Sequence, residues 1–197
     1  MAIGSQNKCC PMLNLPNFLT LIRIVAIPFF LVLLSSHLYL EALVVFIAVG
    51  LTDALDGAVA RITHQQTPLG AYLDPVADKL LVVSSFVMLG WIGVIPSWLV
   101  VLVVSRDIII LVGYAVIYFR IDERLEVRPS LIGKFNTILQ LVTVGVVVLF
   151  LYNPQLMVPW LGDALILATA VTTVVSGFQY ISRGLVWFRI RAPSRAA

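Results

Sequence analysis

The chain has 197 residues, of which 60% are hydrophobic and 12% charged, and its mean hydropathy is +1.02. A soluble domain carries about 25% charged residues, so this composition excludes a soluble globular enzyme and places the chain in a lipid bilayer. We expect membrane lipids, and no nucleic acid, around it. The adjacent Cys9 and Cys10 are the two cysteines of the chain, and they form neither a disulfide framework nor a zinc spacing.

Six apolar stretches follow one another, each long enough to cross about 30 Å of hydrocarbon with roughly 20 residues. They cover residues 18–36, 40–61, 70–90, 97–119, 131–152 and 162–183. The first stretch is not read as a signal peptide, because it lacks a basic leader and a cleavage site and contains Arg23. The sequence therefore predicts an all-α membrane protein, a bundle of six transmembrane helices forming one domain over 1–197, with a juxtamembrane segment at 1–16 and a basic tail at 184–197.

Lysine and arginine flank the predicted spans on one side of the bundle. They are Lys8, Arg61, Arg120, Arg124, Arg128, Lys134, Arg183, Arg189, Arg191 and Arg195. The opposite loops, near 36–40, 91–96 and 153–161, contain neither residue type. Because cytoplasmic loops accumulate Lys and Arg, we expect both termini to face the cytoplasm. The basic tail can also contact anionic lipid headgroups.

Four aspartates lie in apolar spans. Asp53 and Asp56 belong to the second span, and Asp74 and Asp78 lie at the start of the third. At roughly 2.5–3.5 kcal/mol each on insertion scales, four such charges would cost on the order of 10 kcal/mol, comparable to the stability of a whole domain. A compensating positive charge is therefore expected.

The spacing of these acids predicts that they converge. The second span ends near Arg61 and the third returns from about Gly70, so that the two form an antiparallel hairpin. At about 1.5 Å per residue, Asp53 and Asp78 both lie about 12 Å deep. Within each helix the acids are spaced i, i+3 or i, i+4, which puts them on one face.

Oxygen ligands without His or Cys suit Mg²⁺ or Mn²⁺, and four carboxylates are enough for two ions. Two such ions can grip a pyrophosphate, polarise its phosphorus and stabilise the leaving oxygen, which indicates phosphoryl chemistry. The small residues Gly57, Ala60 and Gly70 clear space for a ligand beside the acids. Arg61 can bind a phosphate or a base carbonyl.

Each feature also has a structural interpretation. Gly57 and Ala60 are typical of close helix packing, and Arg61 of a cytoplasmic anchor. Asp74 followed by Pro75 is typical of a helix N-cap with proline at the first helical position. An alternative function is a divalent-cation pathway lined by the acids, although such a pathway has no need of the small residues and the arginine.

Together these residues read Asp53-x2-Asp56-Gly57-x2-Ala60-Arg61-x8-Gly70-x3-Asp74-x3-Asp78, which resembles the signature of the CDP-alcohol phosphotransferase family at every fixed position. The resemblance implies a six-span fold, displacement of CMP from a CDP-linked donor by an acceptor hydroxyl, and a homodimer. It implies metal ligation by Asp53, Asp56 and Asp74, with Asp78 both near the metals and the general base.

The resemblance also implies a binding site for the CDP donor. Its residues are Gly57, Ala60, Arg61, Thr67 and Gly70, with Asn17 and Thr20 of the first span beside the nucleotide. An alternative for Asn17 and Thr20 is a cap at the start of the first helix.

Arg106 in the fourth span and Lys134 at the start of the fifth can bind an acceptor phosphate. Lys134 can instead snorkel to the interface, whereas a deep Arg106 needs a partner or a wet cavity. Arg106 lies fourteen residues from Arg120, deeper than the carboxylates, so the fourth helix is expected to extend beyond the bilayer.

The acceptor is suggested by further resemblances. The segments 73–79 and 132–134 resemble phosphatidylglycerophosphate synthases, which implies transfer from CDP-diacylglycerol to glycerol 3-phosphate in a bacterial cytoplasmic membrane. In contrast, Asp107 stands where those synthases usually carry Glu, and 134–137 with Ser176-Gly177 resembles cardiolipin synthases, which implies phosphatidylglycerol. Inositol phosphate and serine are further alternatives.

Overall fold

The computed structural model describes residues 15–63, 68–120, 131–156 and 158–191, with side chains over 22–52, 77, 79–113, 132–156, 158 and 160–182. These residues form six α-helices: α1 (Leu15–Ser35), α2 (Tyr39–Thr63), α3 (Pro68–Trp91), α4 (Ser97–Arg120), α5 (Leu131–Tyr152) and α6 (Pro159–Arg191), with a 3₁₀ turn at Pro154–Leu156. The described residues contain no strand. The predicted all-α class and its six helices are confirmed.

The helix boundaries agree with the predicted ones except at the end of α6. This helix continues to Arg191, eight residues beyond the predicted end at 183. Hydropathy falls at Arg183 because charged residues begin there, but a helix needs no apolar side chains to keep its backbone hydrogen bonds. Pro193, which disfavours helix in the residue before it, is the first proline after Pro159. Part of the predicted basic tail is therefore helical.

Short links join the helices at one end of the bundle. The α1–α2 link places His37 at a φ of 61°, with its ring nitrogen Nδ1 2.6 Å from the Tyr39 hydroxyl. The α3–α4 link has Gly93 at a φ of 83°, a conformation that glycine adopts without steric cost. These tight links make the connected helices antiparallel neighbours.

The apolar core lies near this same end. Helix α3 packs against α1, α4 and α5, and α5 packs against α2, α3 and α6. The largest fully buried apolar side chains are Phe30, Phe86, Leu34, Leu89, Ile95 and Leu99. Phe30 and Phe46 join α1 to α2 with ring centroids 5.6 Å apart. Most of the buried polar side chains lie nearer the other end, where the bundle contains its candidate site.

The outer surface of the bundle is apolar. Phe29, Val101, Leu167 and Phe178 are each more than half exposed. Among the described residues, Ile132–Tyr152 and Trp160–Ser182 are long and apolar enough to cross a membrane, and Ile22–Ser35, Tyr39–Thr52 and Lys79–Trp91 are shorter apolar helices. A surface of this kind is expected where lipid, rather than water, is the solvent.

Aromatic side chains gather at the end that contains the short links. Tyr39 begins α2, Trp91 ends α3, Trp98 lies at the start of α4, Tyr152 ends α5 and Trp160 lies at the start of α6. Trp91 and Trp160 are 86% and 70% exposed. Tyr and Trp rings prefer the boundary between hydrocarbon and water, so this belt is where one membrane interface is expected.

Candidate functional site

The predicted carboxylate site is distributed over α2 and α3. Asp53 and Asp56 lie in α2, and Asp74 and Asp78 lie in α3. Because both segments are helical, each pair lies along one face of its helix. The four side chains are outside the described residues, so their convergence remains a prediction. As a donor set they offer only carboxylate oxygens, which fits a hard divalent cation.

Two capping interpretations can be judged from the backbone. Helix α3 begins at Pro68, six residues before Asp74, so the N-cap interpretation of Asp74 is wrong. The predicted third span, from 70, already placed Asp74 inside the helix, and the Asp-Pro pair is only a local signal. Asn17 and Thr20 both lie inside α1, whose first residue is Leu15, and Thr20 is therefore not a cap.

The remaining predicted donor residues are placed by their helices alone. Gly57, Ala60 and Arg61 lie in the last turns of α2, and Gly70 lies in the first turn of α3. Thr67 is outside the described residues, as are the side chains of the others. Their contacts with a nucleotide remain a prediction.

A buried ion-pair cluster joins α3 to α4. The Asp107 carboxylate accepts hydrogen bonds at Oδ1 from Lys79 Nζ, at 2.9 Å, and from Arg106 Nη1, at 2.6 Å. Asp107 and Arg106 are 1% and 5% exposed, and Lys79 is 18% exposed. Burying an arginine is tolerable only when it is paired and hydrogen-bonded, and this cluster meets that condition.

The same guanidinium reaches α6. Arg106 Nη2 donates a hydrogen bond of 2.7 Å to the hydroxyl of Ser176, which is fully buried. Arg106 therefore ties α4 to α6 while its other nitrogen holds Asp107. The sequence predicted that a deep Arg106 needs a partner or a wet cavity, and the structure gives it a charged partner, Asp107.

Beside this cluster lies a pocket of about 150 Å³. Its lining residues are Lys79, Arg106, Ile110, Gly133, Lys134, Thr137 and Tyr180. Both predicted acceptor residues, Arg106 and Lys134, are among them, so the structure brings together two cations from different helices. Lys79 adds a third, and the pocket therefore suits a phosphate.

Two glycines keep the space around Arg106 open. A Cβ added at Gly133 would lie 3.5 Å from Arg106 Nη2 and 3.8 Å from Ser176 Oγ. A Cβ at Gly177 would lie 3.7 Å from Arg106 Cγ. At these two positions α5 and α6 have no side chain between their backbone and the Arg106 side chain.

The Lys79–Asp107 ion pair shows the level of Arg106 relative to α3. By residue count Arg106 lies deeper than the carboxylates, but the Lys79–Asp107 ion pair sets it level with Lys79 on α3. Lys79 directly follows Asp78 in the chain. Helix α4 therefore reaches further past the pocket than α3 does, and the pocket lies next to the α3 segment that contains Asp78.

A polar seam fixes α5 against α6 below the pocket. Asn136 Oδ1 accepts hydrogen bonds from the hydroxyls of Thr172, at 2.8 Å, and Thr173, at 3.0 Å. One turn or more further along, the Thr143 and Thr169 hydroxyls lie 2.8 Å apart. Such interhelical hydrogen bonds hold helix pairs in register inside a membrane. The seam thereby sets Lys134 and Ser176 relative to each other.

Three residues of this cluster were not predicted as site residues. The sequence singles out Lys79, Asp107 and Ser176 only as parts of segments that resemble families. Lys79 is 28 residues from Asp107 in the chain, and Ser176 is 70 residues from Arg106. The available signal was that Lys79 and Asp107 have opposite charges in two different apolar spans, since charged residues inside a membrane usually form ion pairs with one another.

Arg23 also was not predicted as a site residue, and it lies on a different helix from that cluster. It is 2% exposed on α1, which packs against α2 and α3, the helices that contain the four aspartates. Four carboxylates in apolar spans need a positive charge to compensate them. Arg23 is a candidate for that charge.

The chain was compared with known proteins. The family model for CDP-alcohol phosphatidyltransferase matches residues 13–175. This range includes the whole aspartate signature, the ion pairs of Lys79 and Arg106 with Asp107, and the α5 wall of the pocket. The chain belongs to the CDP-alcohol phosphatidyltransferase family, and it is a membrane protein of phospholipid biosynthesis.

Several curated relatives carry more specific names. The chain is 34% identical to a probable phosphatidylglycerophosphate synthase of Mycobacterium tuberculosis over 179 residues, 87% of this chain and 82% of the relative. It is 30% identical to the CDP-diacylglycerol--glycerol-3-phosphate 3-phosphatidyltransferase of Bacillus subtilis, over 87% of this chain and 95% of the relative. It is 36% identical to the protein of the same name in Salmonella typhimurium, over 86% and 93%.

Proposed function

We propose that this protein transfers the phosphatidyl group of CDP-diacylglycerol to glycerol 3-phosphate, giving phosphatidylglycerophosphate and CMP. The observation that carries this proposal is the cationic pocket lined by Lys79, Arg106 and Lys134. Lys79 directly follows Asp78 on α3. A phosphate held there leaves its attached alcohol within reach of the carboxylate helix. The names of the relatives support the same reaction.

The donor is bound by α2 and the start of α3. In this proposal Asp53, Asp56, Asp74 and Asp78 hold two Mg²⁺ or Mn²⁺ ions. When bound, these ions neutralise the diphosphate and polarise the phosphorus under attack. Asn17, Thr20, Gly57, Ala60, Arg61, Thr67 and Gly70 surround the cytidine diphosphate.

The acceptor reacts through a free hydroxyl. Arg106, Lys134 and Lys79 hold its phosphate, and Asp78 takes the proton of the attacking hydroxyl. The oxygen forms an ester bond to the phosphorus that carries the diacylglycerol, and the pyrophosphate bond to CMP breaks. CMP leaves with the electron pair of that bond. No net redox change occurs, and the proton passes from the hydroxyl to the carboxylate and then to solvent.

Glycerol 3-phosphate is favoured over phosphatidylglycerol by charge as well as by the relatives. A phosphate monoester carries about −1.5 to −2 charges at pH 7, whereas a diester such as phosphatidylglycerol carries one. Three lining cations suit the monoester better. Membership in a transferase family also removes the reason to consider a cation pathway.

The proposal includes an orientation in the membrane. All six helices span the bilayer, the termini and the carboxylates face the cytoplasm, and the membrane is the bacterial inner membrane. The Lys and Arg residues of one side and the aromatic belt formed by the ends of α2–α6 on the other support this orientation. A homodimer is proposed from the family resemblance alone.

The test is a CMP-release assay on purified protein in detergent or vesicles. Protein and CDP-diacylglycerol are combined with glycerol 3-phosphate, phosphatidylglycerol, inositol phosphate or serine, and the lipid product is identified by mass. We expect turnover with glycerol 3-phosphate. Turnover with phosphatidylglycerol alone would replace the proposal by cardiolipin synthesis, and Mg²⁺ transport without CMP release would replace it by a cation pathway.

The role of the pocket is tested by Arg106→Ala. This change removes a phosphate-binding cation and leaves the predicted donor residues untouched. The KM for glycerol 3-phosphate should rise more than the KM for CDP-diacylglycerol. A larger rise in the donor KM would move Arg106 to the nucleotide side of the site.

A further inference from the structure

Asp107 is a buried carboxylate to which two cations of the pocket bind. Its Oδ1 accepts from both Lys79 Nζ and Arg106 Nη1, at 2.9 and 2.6 Å. Its second oxygen, Oδ2, is buried and has no hydrogen-bond partner among the described residues. One oxygen atom therefore holds together two positively charged side chains from different helices.

The geometry of this contact is unusual for neighbours on a helix. Residues i and i+1 do not face each other on a helix, so the Arg106 side chain must turn aside to reach Asp107. In doing so it also reaches Ser176 and the wall of the pocket. Without a carboxylate between them, two adjacent cations would repel each other and turn their long, flexible side chains apart.

We propose that Asp107 is the positioning residue of the acceptor pocket: it holds Lys79 and Arg106 side by side in the orientation that receives a phosphate monoester. This inference rests on the proposed function, because it assigns a role to a residue of the same site. Asp107 touches no substrate and acts through the two cations. With Lys134, the pocket presents cations from α3, α4 and α5 to a bound phosphate.

Positioning and simple charge make opposite predictions for Asp107→Asn. If the carboxylate only reduced the positive charge of the pocket, its loss would strengthen phosphate binding. If it positions Lys79 and Arg106, its loss weakens binding, because both side chains lose a charge-assisted hydrogen bond that orients them. The sign of the change in affinity therefore distinguishes the two roles.

The first experiment measures three quantities on Asp107→Asn: the KM for glycerol 3-phosphate, the KM for CDP-diacylglycerol, and the inhibition constant of inorganic phosphate against glycerol 3-phosphate. We expect the acceptor KM and the phosphate inhibition constant to rise together by roughly tenfold or more, and the donor KM to change by less than about twofold. Dimethyl phosphate, a diester monoanion, should inhibit the wild type more weakly than inorganic phosphate does.

Two variants serve as controls. Asp107→Glu keeps the carboxylate, and it should retain an acceptor KM within about threefold of wild type because the longer side chain can still reach both cations. Asp163→Asn makes the same substitution at an exposed position near the start of α6, far along the helix from Ser176, and it should change none of the three quantities.

A second variant tests the same contact from the α3 side and does not require Asp107→Asn to fold. Lys79→Met should also raise the acceptor KM, and where both single variants fold, the double variant should show less than the sum of their effects, because they share the Lys79–Asp107 contact. An acceptor KM that is unchanged or lower in Asp107→Asn, or unchanged in Lys79→Met, overturns the inference. A wild-type protein that releases no CMP with glycerol 3-phosphate would instead overturn the proposed function.

Discussion

The guanidinium of Arg106 and the hydroxyl of Ser176 join α4 to α6 through a hydrogen bond of 2.7 Å from Nη2 to Oγ. The contact is buried, and it spans 70 residues of chain. It fixes one end of a guanidinium whose other nitrogen holds Asp107.

Ser176→Ala should weaken acceptor binding. The substitution leaves Arg106 Nη2 without its buried hydroxyl partner, so the guanidinium becomes free to turn away from the pocket. We expect the KM for glycerol 3-phosphate to rise about tenfold, with little change in the donor KM. Ser182→Ala is a matched control, since among the described residues that hydroxyl donates to the Gln179 carbonyl of its own helix, at 3.0 Å. An equal effect of both variants would contradict a specific role for Ser176.

Gly133→Val should block the pocket without unfolding the protein. The Cβ would meet Arg106 and Ser176 at 3.5 and 3.8 Å, which is ordinary contact, and the further methyl groups would fill the space for a phosphate. Gly113→Val places the same side chain in a helix where nothing lies within 4 Å of the Cβ. We expect similar unfolding temperatures for both variants. Only in Gly133→Val should the reaction rate no longer saturate with glycerol 3-phosphate. Normal saturation there would place the phosphate elsewhere.

Asp78→Asn should abolish transfer and leave donor binding largely intact. The amide cannot accept the proton of the attacking hydroxyl, and loss of a general base typically costs about 10²–10⁴-fold in rate. Turnover and CDP binding are measured on the same preparation. Unchanged turnover would remove Asp78 as the base.

Chelation should stop the reaction, and Mg²⁺ or Mn²⁺ should restore it. The donor set of the four aspartates contains oxygen alone, which is the ligand type that these ions require. Activity is measured in excess EDTA and after each ion is added back. Full activity in excess EDTA would defeat the metal assignment.

Gln140→Leu should make the protein more stable. Gln140 is fully buried on α5, and neither polar atom of its amide has a hydrogen-bond partner among the described residues. An unsatisfied buried polar group costs about 1–3 kcal/mol, and a leucine of similar volume removes that cost. Thermal unfolding in detergent should therefore begin at a higher temperature.

Thr143→Val is the control of opposite sign for Gln140→Leu. Its hydroxyl lies 2.8 Å from that of Thr169, and losing this interhelical contact should cost about 0.6 kcal/mol. A lower unfolding temperature for Gln140→Leu would show that the amide is satisfied, for example by a buried water.

The helices and the aspartate signature could be predicted from the sequence because both are local properties. A run of about 20 apolar residues is recognisable without knowledge of its neighbours, and spacings such as that from Asp53 to Asp56 fix a helix face once the segment is helical. Arg106 and Lys134 could be named because charge inside an apolar span is costly and needs a reason. The end of α6 was missed because hydropathy measures a span, whereas hydrogen bonding determines a helix.

Only the tertiary structure decided which charges meet. Lys79, Asp107 and Ser176 lie on three different helices, and nothing in their spacing along the chain places them around one guanidinium. Their meeting depends on the relative depth of α3, α4 and α6, which side-chain packing sets and residue counting cannot supply. The sequence thus determined the helices and the family signature, and the packing of the helices decided which side chains line the pocket.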